Sequence, residues 1–183
     1  MFKIKFSLVQ LFLLLCLINS LYTQTDSSQK NWSATVIGGV FIPIDHVTYY
    51  NSVNSGLEIS YSCIPAISVY MNCSYNFLRK SKYSIYRAAT SLFEATMGTR
   101  FYPNPEIHGI FIDIGFGYYQ RIYNRWQYEY TDELGINGGI GTEIKVSNNI
   151  SIPVEGKIHI IDFLVNGDHM IYSGVYSGIK YSF

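Results

Sequence analysis

The chain is poor in charge and in cysteine. Only 14% of its 183 residues are Asp, Glu, Lys or Arg, and it has three cysteines. No tract of basic residues occurs, which argues against nucleic acid as a partner. The four histidines, His46, His108, His159 and His169, lack metal-ligand spacing, and the cysteines form no CxxC pair. No metal or other cofactor is therefore expected. Beyond the N-terminus no apolar run approaches the roughly 20 residues that a membrane-crossing helix needs. Helical periodicity is also missing there.

The N-terminus reads as a targeting signal. Lys3 and Lys5 precede the almost wholly apolar run SLVQLFLLLCLI, residues 7–18, which gives way to Asn19 and Ser20. A signal peptide is expected over 1–23, with cleavage between Ser20 and Gln24, then a polar arm over 24–31. Cys16 lacks the small preceding residues of a lipidated cysteine. Losing Lys3 and Lys5 takes the 13 basic residues to 11 against 13 acidic ones, a charge near −2. The remaining Cys63 and Cys73 flank a turn near Pro65, which places Cys73 opposite residues 57–59. That is too far from Cys63 for a disulfide, so two free thiols are expected.

The remainder alternates. In the stretch IHGIFIDIGFGYYQR, residues 107–121, one row holds Ile110, Ile112, Ile114, Phe116 and Tyr118. The other holds Gly109, Phe111, Asp113, Gly115, Gly117, Tyr119 and Arg121. A period of two means a strand with one apolar face. The pattern recurs in eight expected strands: 32–43, 55–64, 67–78, 91–102, 107–121, 133–147, 150–163 and 169–183. Most exceed the usual soluble length of about 5–6 residues and match the about 9–11 needed to cross a bilayer at a tilt. The links alternate between long and short, as in a barrel with turns at one end and loops at the other. An even strand count puts both termini at the turn end. Aromatics reach 16%, with 17 Tyr, as expected where rings sit at a membrane–water boundary.

Charge falls on one face only. The polar rows gather Glu58, Glu94, Asp113, Glu143 and Glu155 with Arg100, Arg121, Lys145, Lys157 and Lys180, and His159 lies among them. In a soluble barrel these groups would point to water. In a membrane barrel the apolar row meets lipid and the charges fill a lumen just wide enough for side chains. Five acids and five bases there could neutralise one another, whereas unpaired they would be costly. Asp113 is expected to meet a base, with Arg100 on the neighbouring strand as candidate. Strand one fits the pattern least well, because Ile37 and Phe41 fall on its inner row.

The tail Gly178-Ile179-Lys180-Tyr181-Ser182-Phe183 resembles the C-terminal signal read by the outer-membrane barrel assembly machinery, carried by Gly178, Tyr181 and Phe183. Gly38-Gly39-Val40, Arg100-Phe101-Tyr102-Pro103 and Gly115-Phe116-Gly117-Tyr118-Tyr119 extend the likeness. Over residues 32–183 the chain resembles the small eight-stranded outer-membrane β-barrel proteins of Gram-negative bacteria, related in shape to OmpA and OmpX. The resemblance implies an all-β, antiparallel, up-and-down transmembrane barrel with a filled polar lumen. It also implies location in the outer membrane, contact with its lipid, and engagement of the assembly machinery during insertion.

Such a protein is expected to play a structural or surface-interacting role, with loops facing an unidentified external partner. One alternative is carriage of small apolar molecules through a side opening, as in OmpW-like barrels. Another is a lipid A-modifying enzyme, which would need a Ser and a His near the outer rim oriented by a carboxylate. Ser173, His169 and Asp168 are the weak candidates, and no enzyme activity is expected. His159 is read as a member of the lumen network rather than as a general base. The loop RIYNRWQYEYTD is read as an aromatic belt of Tyr123, Trp126, Tyr128 and Tyr130, with its tip open to recognition. An open porin channel belongs to barrels of about 16 strands.

Overall fold

The computed structural model describes residues 31–44, 49–80, 89–103, 109–123, 129–161 and 170–183, without the side chains of 49–50, 79–80, 123 and 129–131. The expected signal over 1–23 and most of the arm lie outside this range. So do His46, His108, Trp126, Tyr128, Asp168 and His169.

Eight strands form a closed ring: β1 (Trp32–Pro43), β2 (Tyr49–Ile64), β3 (Ile67–Lys80), β4 (Ser91–Phe101), β5 (Ile110–Tyr123), β6 (Glu129–Lys145), β7 (Ile150–Ile161) and β8 (Met170–Ser182). Each strand pairs antiparallel with the next, and β1 closes on β8 with Val36 opposite Ile179. Closure leaves no sheet edge within the wall, as crossing a hydrocarbon layer requires.

Two strands begin earlier than the sequence pattern suggests, and β3 and β5 each end two residues later. β2 begins at Tyr49 rather than residue 55, and β6 at Glu129 rather than residue 133. The β5–β6 ladder continues to Tyr123 opposite Glu129, so much of the expected loop over 122–132 is hairpin. Polar residues interrupt the alternation there, yet cross-strand pairing continues past the apolar band. At the other end Gly109, at φ +144°, turns the chain into β5 in a conformation that suits glycine. A Cβ there would lie 2.8 Å from Thr142 Oγ1. Cys73 sits opposite Leu57, far along the hairpin from Cys63.

Burial runs opposite to that of a soluble barrel. Val36, Ile114 and Ile179 are 64%, 70% and 63% exposed on the outer wall, whereas Asn76 and Glu94 inside are 0% and 1% exposed. Leu57, Ile140 and Val175 continue the exposed apolar surface around the ring. So much contiguous apolar surface would be untenable in water, and a lipid layer is its natural cover. Near the termini Trp32 contacts Tyr61 at 4.9 Å between ring centres, and Tyr181 stacks near Phe183. These rings stand where an interfacial girdle belongs.

Replacing Ile114 by Arg is expected to cost about 2–4 kcal/mol of folding stability in phospholipid vesicles, as for a charge on a lipid face. Denaturant titration checks this. A change within about 0.5 kcal/mol, typical of a water-exposed site, would count against a lipid-facing wall.

Candidate functional site: a packed polar lumen

The inner rows of all eight strands fill the barrel. Nearest the termini, Lys180 Nζ lies 2.9 Å from Glu143 Oε2, and Ser151 Oγ donates to Glu143 Oε1 at 2.6 Å. Tyr102, just past β4, reaches the same carboxylate at 3.4 Å. Burial pushes its phenol above the usual tyrosine range, so it remains a donor.

The middle of the lumen is built on Arg100. Its guanidinium forks onto Glu58 at 2.9 and 3.1 Å and reaches Glu155 Oε2 at 3.3 Å. Phe111 lies 4.4 Å from its centre and Tyr70 5.0 Å, so aromatic faces screen the charge. Asp113 stands opposite Arg100 in the β4–β5 register but 3.9 Å from its nearest nitrogen. Its nearer cation is Lys157 at 2.8 Å, which also holds Glu155 Oε1 at 2.8 Å.

Towards the loop end Glu94 accepts hydrogen bonds from the hydroxyls of Ser74 and Tyr172. Asn54 approaches it at 3.4 Å and His159 Nδ1 at 3.6 Å. The His159 ring stacks on Tyr172 at 4.3 Å. Its Nδ1 lies 3.0 Å from the Tyr119 hydroxyl and its Nε2 3.3 Å from that of Tyr176. Tyr172 in turn packs on Phe41 at 4.4 Å. Phe41, Leu78, Leu92, Ile161 and Met170 then close the loop end as an apolar plug.

Not every expected lumen charge joins these layers. Arg121 pairs with Glu133 at 2.8 Å, close to the loop end of β5. Lys145 is exposed at the turn end of β6. The interior therefore holds Glu58, Glu94, Asp113, Glu143 and Glu155 against Arg100, Lys157 and Lys180. Hydroxyls and amides supply the remaining donors. The plug was not read from the sequence. Its signal was present as Phe41, Leu78, Leu92 and Ile161, all apolar on inner rows near strand ends.

Inner glycines admit the rings. A Cβ on Gly98 or Gly115 would stand 2.7 or 2.8 Å from the Tyr70 hydroxyl, and one on Gly141 would be 2.3 Å from Phe111. Ser173, one of the three residues considered for a lipid A-modifying activity, points the other way. It shares the outer row with Val175, and its hydroxyl donates to the Ile42 carbonyl at 3.4 Å.

No family model matches the chain, and no curated protein matches it by sequence. Solved structures do match its shape. Neisserial surface protein A superposes with a TM-score of 0.67 at 7% identity, covering 83% of this chain and 97% of that one. The chain folds as a small outer-membrane β-barrel. OprG of Pseudomonas aeruginosa matches with a TM-score of 0.56 at 11% identity, over 85% and 97% of the two chains. Ail, the attachment invasion locus protein of Yersinia pestis, gives 0.52 at 13% identity, over 85% and 100%. At such identities the likeness lies in the barrel, not in its side chains.

Two substitutions test the packed lumen. Gly115→Ala is expected to cost about 1–3 kcal/mol by overpacking, whereas Gly38→Ala, whose Cβ has only Asn54 O at 3.9 Å, should be nearly neutral. Equal effects in urea titrations would contradict a filled interior. Arg100→Met should cost about 3–5 kcal/mol, because carboxylates are left short of a cation. Adding Glu58→Gln should recover part of that loss, and strictly additive losses would contradict the coupling.

Proposed function

We propose that this chain is an integral protein of the bacterial outer membrane that anchors and presents its loop end to the exterior, without forming an open channel. The observation that carries this reading is the closed lumen. Polar layers occupy it, and Phe41, Leu92, Ile161, Met170 and Tyr172 form an apolar plug at the end where β1, β3, β5 and β7 finish. A scaffold of this kind spends its interior on rigidity and leaves recognition to the loops. The shape shared with Neisserial surface protein A and with Ail is consistent with a surface role.

Its partners on this reading are outer-membrane lipid along the apolar wall, the assembly machinery during insertion, and an external partner for the loops. The exposed rings of Tyr181 and Phe183 suit the second. Carriage of small apolar molecules fits less well, because the interior offers buried charge rather than an apolar path.

Planar-bilayer recordings test the proposal. The refolded protein is expected to give no stable large conductance steps at neutral pH. A long-lived porin-sized channel would overturn the plugged-lumen reading.

A further inference from the structure

The described wall departs from regular pairing at two register shifts in the β2–β3 ladder, Tyr50/Val53 and Ser62/Ile64, and at a gap between β7 and β8. Between β7 and β8, Ser151 pairs with Lys180 and Val154 with Ser177, but Ile152 and Pro153 pair with nothing on β8. The β6–β7 ladder runs through the same point unbroken, with Glu143 opposite Pro153. In an antiparallel strand each residue directs its N–H and C=O to one neighbour. Proline has no N–H to give, so the ladder opens on one side only.

A cavity adjoins this gap, lined by Pro153, Thr35, Glu58, Arg100, Glu155 and Tyr176 among others. It has room for a water molecule. Three polar side-chain atoms of the lining residues are buried without a hydrogen-bond partner, the Thr35 hydroxyl, Arg100 Nε and Glu155 Oε1, and only the last has a counter-ion, Lys157 Nζ at 2.8 Å. Thr35 and Arg100 are almost wholly buried. Arginine carries five donors in a fixed fork, and here both terminal nitrogens already bond to carboxylates. Three of the five N–H groups are used, and Nε is the guanidinium nitrogen without a hydrogen-bond partner.

The surroundings select the occupant. A cation would meet the Arg100 guanidinium, and an anion would meet Glu58 and Glu155. An apolar group would leave the Thr35 hydroxyl and Arg100 Nε unsatisfied. A small neutral molecule that both donates and accepts suits all four groups. We propose that one water molecule is a fixed component of this site. It accepts from Arg100 Nε–H and donates to the Thr35 hydroxyl oxygen. The proline that interrupts the ladder thus sits beside a hydrated niche that completes the coordination of the central arginine.

The test is solution NMR on the full chain refolded in lipid nanodiscs with 15N-labelled arginine. The Arg100 Nε–H resonance is expected to show a water cross-peak of opposite sign in NOE and ROE spectra, the mark of a bound water. Thr35→Ser should keep it. Thr35→Val should lose it and speed Nε–H exchange about five- to tenfold, the factor expected for one lost hydrogen bond. A wild-type spectrum without the bound-water cross-peak would overturn the proposal, and needs no variant. An identical cross-peak in Thr35→Val would overturn the assigned bridge.

Discussion

Closing eight strands into a ring leaves an interior that side chains must fill. That constraint governs the rest of this molecule. The outer row of each strand can be apolar almost without regard to its neighbours, because lipid accommodates any shape. The inner row has no such freedom. Each inner residue must leave space for a ring from across the barrel, provide that ring, or satisfy a buried polar atom.

The inner rows show how these demands are met together. Large side chains and glycines lie opposite one another: Tyr70 beside Gly98 and Gly115, Phe111 beside Gly141. The charges then fit into the frame the rings define. Arg100 lies near the faces of Phe111 and Tyr70 while its nitrogens bond to Glu58 and Glu155. Lys157, also near the Tyr70 face, bridges Asp113 and Glu155. Removing one partner would disturb both packing and charge, so the lumen behaves as a coupled unit rather than as separate ion pairs. Where cations run short, near Glu94, hydroxyl donors from Ser74 and Tyr172 take their place.

The wall was legible in the sequence because alternation depends only on near neighbours. Ile110, Ile112 and Ile114 declare an outer face whatever the rest of the chain does. Contacts across the lumen are different, since they depend on the tilt and closure of the whole ring. Asp113 illustrates the limit. Pairing with the neighbouring strand suggests Arg100, yet the side chain lies nearer Lys157, two strands further round. Arg121 and Lys145 sit on the proper row but near strand ends, where position along the barrel axis decides whether a charge is inside. Phe41 looked out of place by pattern alone and finds its reason only beside Tyr172. Pairing beyond the apolar band was hidden as well, because the residues there no longer alternate.

The central claim is that the apolar row faces lipid and the polar row faces a closed interior. The most direct measurement is a set of intermolecular NOEs from protonated lipid acyl chains to methyl groups of the otherwise deuterated protein in nanodiscs. The account requires strong acyl-chain contacts at Ile112, Ile114, Ile140, Ile158 and Ile179, and none at Leu92 or Ile161. Water contacts at the first group, or acyl-chain contacts at the second, would contradict it.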